Sequence, residues 1–195
     1  MQNSIALDST RLQRLQQAPL WEFALALYAK PGVETACLTL QEEAKLDVCE
    51  LLFHCWLYSY GLEAIPRAAA RQREQRRQWQ SSVTAVLRGL RRDLKASAAS
   101  SDSVAALRET IKQAELMAER ENLQRWQEWV LEAHSDEQRV INIVEMPQDS
   151  AKWLRNQLFF SKPNIHSESG LNTAPALCQA LQTLTCQLDP HQGAR

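Results

Sequence analysis

Apolar side chains recur at helical spacing along the first third of the chain. Trp21, Leu25 and Tyr28 stand at positions i, i+4 and i+7, which predicts a helix of about ten residues that ends before Pro31. The same spacing is repeated over residues 33–44 and predicts a second helix. Its apolar positions are Val33, Ala36, Cys37 and Leu40.

The third predicted helix differs from the first two because apolar residues occupy nearly all of its faces. It covers residues 48–60, and a helix that is apolar all round is typical of the centre of a protein. Asp47 is suited to cap its first turn, and Gly61 is suited to end it in the left-handed conformation.

Two longer amphipathic helices are predicted next. Pro66 is suited to open the fourth, whose apolar stripe is very regular and consists of Trp79, Val83, Val86, Leu87, Leu90 and Leu94. Asp102 or Ser103 is expected to cap the fifth, which covers about residues 104–131 with a partial break near Asn122.

The pattern changes after residue 131. Residues 140–144 are β-branched and are open to two interpretations, a short strand or a packed extended segment, while residues 153–160 predict a short helix. From Ser161 onward we expect a mostly disordered tail, with one weak helical repeat at Leu177, Leu181 and Leu184.

The pattern as a whole predicts an all-α fold, a compact bundle of about five helices with a less ordered C-terminal region. We divide the chain into an N-terminal extension (1–18), a helical bundle domain (19–131) and an irregular, largely disordered C-terminal region (132–195).

Composition narrows the possible functions. The formal net charge of −1 excludes a uniformly basic nucleic-acid binder, and only 5 glycines are present, with no glycine-rich phosphate loop. The chain shows no signal-peptide pattern and no apolar run long enough to cross a bilayer. Its 5 cysteines, an odd number without a CxxC motif, favour free thiols in the cytoplasm.

One stretch of sequence is distinctive enough to suggest a family. Residues 20–38 read LWEFALALYAKPGVETACL, and they are followed by Asp47-Val48, by Leu51-Leu52-Phe53 and by Trp56-Leu57. With residues 114–120, these segments resemble the proteobacterial proteins grouped as domain of unknown function 2390, over roughly residues 20–131. The resemblance implies a bacterial cytoplasmic protein and implies no activity, cofactor or catalytic residue.

The segment from Pro66 to Lys95 carries nine cations against only two carboxylates, Glu74 and Asp93. The cations are Arg67, Arg71, Arg73, Arg76, Arg77, Arg88, Arg91, Arg92 and Lys95. They have three interpretations: a solvated helix face that pairs with glutamates of neighbouring helices, a contact for an acidic protein, or a phosphate-binding patch for RNA or the ribosome.

Several charged, thiol and imidazole side chains of the predicted helices are candidates for buried ion pairs or for metal binding. Glu22 and Glu50 lie in mostly apolar helices, so we expect an arginine of the fourth helix as their partner, whereas Glu115 and Glu119 are expected to form ordinary surface ion pairs. Thiol and imidazole groups suggest a zinc or haem site, but their spacing spreads them over different helix faces, so we predict no metal. The residues concerned are Cys37, Cys49, His54 and Cys55.

Two aromatic residues stand together late in the fifth helix. Trp126 and Trp129 either anchor a partner or cover the end of the bundle. Without a recognisable nucleophile arrangement, phosphate loop or metal spacing, we predict a non-enzymatic cytoplasmic adaptor or regulator that requires no cofactor. It would bind a protein partner through the arginine-rich helix, these tryptophans or the C-terminal tail. The alternatives are a nucleic-acid- or ribosome-associated protein and a metal- or haem-binding bundle.

Overall fold

A computed structural model describes residues 9–132, 138–159 and 175–188. Its helices are α1 (Ser9–Gln17), α2 (Leu20–Tyr28), α3 (Val33–Ala44), α4 (Val48–Ser59), α5 (Pro66–Trp79), α6 (Ala85–Asp93), α7 (Lys95–Ala98), α8 (Asp102–Leu131), α9 (Ser150–Phe159) and α10 (Pro175–Cys186). The predicted all-α bundle is therefore confirmed.

The helix α4 lies at the centre of the core, as its apolar composition predicts. Each residue from Cys49 to Ser59 is buried. The Asp47 side chain accepts a hydrogen bond of 2.8 Å from the backbone N–H of Cys49, and Gly61 follows the helix with a φ of 65°, so both predicted caps are confirmed. The Phe53 ring stacks on Trp126 of α8 with 4.5 Å between the ring centroids.

The predicted fourth helix is one long helical run that contains a π-helical turn at Gln80–Thr84 between α5 and α6. Beyond this turn, α6 and α7 pack mainly against α8. Neither α6 nor α7 has a buried residue. We call these two helices, together with residues 102–119 of α8, the arm.

Helix α8 is continuous, and its start differs from the prediction. Ser101, rather than Asp102 or Ser103, caps the helix, because its hydroxyl accepts a hydrogen bond from the N–H of Val104. Asn122 lies buried within the unbroken helix, so the expected partial break is absent.

The described residues contain one two-stranded sheet. Strand β1 (Leu62–Ala64) pairs antiparallel with β2 (Val140–Asn142), with Glu63 opposite Ile141. The β-branched segment is thus a strand, and its partner β1 has no sequence pattern of its own because it is only three residues long.

The C-terminal region requires a correction. Helices α9 and α10 contribute buried leucines to the core, and α10 packs closely against α3. At Gly32, which has a φ of 81°, a Cβ atom would lie 3.0 Å from the side chain of Thr183 in α10. The prediction of disorder is therefore wrong for residues 175–188, whereas residues 160–174 and 189–195 lie outside the described residues.

The start of the chain also contributes to the core. Residues 1–8 of the predicted extension lie outside the described residues, but α1 follows them and its Leu15 is fully buried. The bundle therefore includes helices on both sides of the predicted 19–131 boundary.

Candidate functional site

A buried ion pair joins α4 to α5. The guanidinium of Arg73 donates to Glu50 Oε1 from Nε at 2.6 Å and lies 2.5 Å away through Nη2, which also donates to the carbonyl of Gln157 in α9 at 3.1 Å. His54 Nε2 lies 3.6 Å from the same carboxylate oxygen. Burial alone would raise the pKa of Glu50, but His54 and Arg73 outweigh it, so the pKa lies below its usual value. The predicted pairing is confirmed for Glu50, whereas Glu22 is exposed.

A second polar network lies beside this pair. One oxygen of Asp47, Oδ1, caps α4 and accepts from Gln80 of the π-helical turn at 3.0 Å, while Oδ2 accepts from Asn122 of α8 at 3.5 Å. Burial and the nearby Glu50 raise the pKa of Asp47, although the hydrogen bonds oppose this shift. One side chain therefore joins three helical elements.

Within the arm, α6 is held to α8 by arginine–glutamate pairs. Arg88 donates to Glu115 at 2.7 Å and to Glu119 at 2.6 Å, and Arg91 donates to Glu115 at 2.5 Å. Glu115 is buried, and burial alone would raise its pKa. The two arginines outweigh this effect, so the pKa of Glu115 is lowered. The expectation of ordinary surface pairs was therefore wrong for Glu115, because its partners come from another helix rather than from its own.

The nine cations of the Pro66–Lys95 segment are divided by the fold. Arg73 and Arg76 are buried, and Arg88 and Arg91 pair with α8, which agrees with the interpretation that glutamates of neighbouring helices bind this segment. The remaining cations are exposed, and they are Arg67, Arg71, Arg77, Arg92 and Lys95. The structure thus separates the predicted basic segment into internal and external groups.

The two tryptophans of α8 lie against the core. Trp126 is fully buried beneath Phe53, and Trp129 is partly buried with its ring centroid 5.8 Å from that of Trp126. Trp126 therefore covers the core, and the suggestion that it is an accessible anchor for a partner is corrected.

The cysteines and the histidine proposed as metal ligands are all buried. Burial raises the pKa of the Cys37 thiol to about 12 and also raises the pKa values of Cys49 and Cys55, which disfavours the thiolate form that binds metals. Within residues 9–132, 138–159 and 175–188, no group of three or more His, Cys, Asp or Glu side chains is placed to hold a metal ion.

Two depressions lie side by side and share Gln41, Gln80 and Arg88. We call the first, of about 500 Å³, the polar cleft; its lining includes Lys45, Asp47, Glu50, Arg73, Arg77 and Leu158. We call the second, of about 270 Å³, the apolar groove; its lining includes Trp21, Leu25, Tyr28, Leu38, Arg92 and Leu116.

Sequence reasoning missed most of these lining residues. Leu25 belongs to the apolar stripe that predicts α2, yet it is 50% exposed, because α2 buries Leu20, Ala24 and Leu27 instead. Leu38 is apolar and lies outside the predicted stripe of α3, so it was the available signal for the groove. For the cleft, the signal was a lysine directly after the end of a predicted helix. The signal for the groove becomes specific only when α2, α3 and α8 are brought together, and the signal for the cleft only when α3, α5 and α9 are.

Residues 19–126 match the family described as "Protein of unknown function (DUF2390)". This match covers more than half of the chain, so the chain belongs to that family, and the resemblance noted from its sequence is confirmed. No curated protein and no solved structure gives a match to the chain.

The described helices bear on whether this part of the chain crosses a membrane. None of them combines the length and the apolar character needed to span a membrane.

Proposed function

We propose that this chain is a non-enzymatic cytoplasmic adaptor or regulator, and that its apolar groove binds an amphipathic helix of an acidic protein partner. The observation that carries this proposal is the exposure of three leucines, each from a different helix, along one depression. Leu25 of α2 is 50% exposed, Leu38 of α3 is 41% exposed and Leu116 of α8 is 43% exposed.

Covering these side chains supplies the free energy for binding. Full burial of a leucine contributes roughly 2 kcal/mol, so covering the exposed half of each contributes about 1 kcal/mol. Side chains at i, i+3 or i+4 and i+7 of a helix match a short row of apolar contacts, which is the usual mode of helix recognition in a groove.

The charge at the rim favours an acidic partner. Arg88 and Arg91 line the groove but are occupied by Glu115 and Glu119. Arg92 is exposed at the same rim, and no ion pair to it occurs within the described parts of the chain. A carboxylate next to the partner's apolar residues would therefore meet Arg92 and orient the helix.

The alternatives have less support. Nucleic-acid binding stays a prediction, and the burial of Arg73 and Arg76 with the pairing of Arg88 and Arg91 reduces the number of cations available for phosphate contacts. The cytoplasmic location is supported by the odd number of cysteines, five, and by the absence of a CxxC motif from the sequence.

A photo-crosslinking experiment tests the proposal. A benzophenone amino acid replaces Leu25 in the full chain, which is then irradiated inside the cells that naturally produce it. The matched control replaces Leu107, which is 51% exposed on α8 but outside the groove. We expect a discrete crosslinked product at position 25 that is absent at position 107.

The identity of the crosslinked segment decides the result. Mass spectrometry should locate the crosslink in an amphipathic, acidic helix, and Arg92→Glu should reduce the yield. Equal products at positions 25 and 107, a crosslinked segment without acidic residues, or no product would contradict the proposal.

A further inference from the structure

The polar cleft lies beside the groove, and a larger share of its lining residues is charged. Four cations and two carboxylates line it, and the cations are Lys45, Arg73, Arg77 and Arg88. Its volume of about 500 Å³ is within the usual range for small-molecule sites.

Arg73 provides a fixed cation in this cleft. Its Nε and Nη2 are held by Glu50 and by the carbonyl of Gln157, while Nη1 is buried and has no hydrogen-bond partner within the described residues. A buried donor without a partner is uncommon in folded proteins. A guanidinium held along one edge therefore retains donors on Nη1 that the described residues do not satisfy, and an oxygen anion is the acceptor that suits a guanidinium.

Lys45 has an unusual backbone conformation at the cleft. It ends α3 with a φ of 54°, and it is the only residue other than glycine with a positive φ in the described parts of the chain. Glycine or asparagine is the ordinary choice at such a position, because a longer side chain is disfavoured there. Lys45 nevertheless occupies it and lines the cleft, with no ion pair to any described residue.

Three of the four cations that line the cleft are paired with glutamates, so Lys45 and the exposed Arg77 are the cations most accessible to a ligand. Arg88 is directed to Glu115 and Glu119, whereas Arg77 is 61% exposed and its pair with Glu74 lies at the surface. Of the two carboxylates, Glu50 is bound by Arg73, and Asp47 accepts hydrogen bonds from Cys49, Gln80 and Asn122. Leu46 and Leu158 add an apolar surface to the lining.

We propose that the polar cleft binds a small organic anion. A phosphate or carboxylate group would lie against Arg73, Lys45 and Arg77, and the apolar body of the ligand would contact Leu46 and Leu158. This site is separate from the proposed protein-binding function and requires neither a partner nor a metal.

Calorimetric titration of the full chain with phenyl phosphate tests the site, and phenol, benzoate and inorganic phosphate serve as comparison ligands. We expect saturable binding of phenyl phosphate and none of phenol. Comparison of benzoate with phenyl phosphate shows which anionic group is preferred. Inorganic phosphate is expected to bind more weakly, because it lacks the apolar body.

Three single variants make the test specific. Lys45→Asn removes the charge but keeps a residue that tolerates the left-handed conformation. Arg77→Gln removes another of the four cations that line the cleft. Each should weaken phenyl phosphate binding about threefold to fivefold. Arg71→Gln is the matched control, because Arg71 is exposed on the same helix as Arg77 and is not among the residues that line the cleft.

Arg73→Lys tests the centre of the cleft, with circular dichroism to confirm folding. If the variant folds, affinity should fall at least tenfold, because lysine lacks the guanidinium fork. If it does not fold, the Lys45 and Arg77 variants decide the outcome.

Three results would overturn the proposal. They are equal binding of phenol and phenyl phosphate, equal weakening by Arg71→Gln, and the absence of saturation up to about 10 mM ligand, near the weak limit for a specific small-ligand site. None of these results depends on crosslinking at Leu25, so the two proposals fail independently.

Discussion

Helix α4 and the arm show opposite relations between sequence pattern and burial. Helix α4 has almost no polar face, and each of its residues from Cys49 to Ser59 is buried. Helix α6 has a very regular amphipathic pattern, yet none of its residues is buried, and Val86 and Leu90 are 52% and 48% exposed. Periodicity therefore predicts that a segment is helical, whereas the side chains that become buried depend on how many elements surround the helix.

The largest difference between the two regions should appear when a core aromatic is removed. Trp126→Ala should lower the free energy of unfolding by about 3–5 kcal/mol, because it leaves a cavity beneath Phe53. Chemical denaturation followed by circular dichroism measures the change. The control Leu90→Ala in α6 should cost less than about 1 kcal/mol, and an equal loss in both variants would disprove the contrast.

The buried ion pair should be next in magnitude. Glu50→Gln leaves the Arg73 charge buried without its partner and should cost about 3 kcal/mol in the same denaturation experiment. The double variant Glu50→Leu with Arg73→Met removes both charges and should recover much of this loss. A double variant less stable than Glu50→Gln would show that the pair itself stabilises the fold.

Acid pH should distinguish the chain with the buried ion pair from the Glu50→Gln variant that lacks it. The pKa of Glu50 is lower in the folded chain than its ordinary value of 4.5, so its stabilising contribution is complete above about pH 4.5 and is lost as the pH falls through the folded value. The pKa of Asp47 is raised, so its contribution to stability changes with pH in the opposite direction, and it does so in both proteins. The wild-type chain should therefore lose more stability than Glu50→Gln between about pH 5 and pH 3, and parallel curves would contradict this expectation.

The ion pairs of the arm should contribute less. Side-chain exposure is 8% for Glu115, 21% for Arg88 and 24% for Arg91, so water weakens these pairs relative to the buried pair. Glu115→Gln should cost about 1–2 kcal/mol. The control Glu109→Gln, at an exposed position, should produce no measurable change, and a loss for Glu115→Gln as large as that for Glu50→Gln would remove the distinction between the regions.

The smallest expected effect is a gain in stability. A Cβ at Gly89 of α6 would meet no atom within 4 Å, so Gly89→Ala should stabilise the helix by about 0.5–1 kcal/mol. Amide hydrogen exchange should slow in α6 and remain unchanged in α4. An equal change in both helices would show that the arm and the core open together.

The residues that the sequence predicted well are those whose surroundings are local. Asp47 and Gly61 follow capping rules that depend on a single helix end, and both predictions are confirmed. Glu50 needed a partner because it stood within an apolar helix, and Arg73 is that partner. The same argument was wrong for Glu22, because α2 leaves that side chain exposed, and no pattern within α2 reveals this.

The candidate sites were much harder to predict. The polar cleft combines Lys45 from the end of α3, Gln80 from the π-helical turn and Leu158 from α9. These residues are far apart in the sequence, and each is ordinary in its local context. Their meeting depends on the packing of α9, a helix that lies in the region predicted to be largely disordered.

By itself, the sequence determined the helical class, the central position of α4, its caps and the need for a partner to Glu50, because these follow from the spacing and chemistry of neighbouring residues. Only the tertiary structure decided that α10 covers α3, that Arg73 and Arg76 are buried while Arg71 and Arg92 are exposed, and that three leucines border one groove. The physical reason is that burial and charge pairing are properties of surfaces brought together from distant segments. A weak leucine repeat such as that of α10 becomes an ordered helix when an apolar face of α3 is available to pack against it.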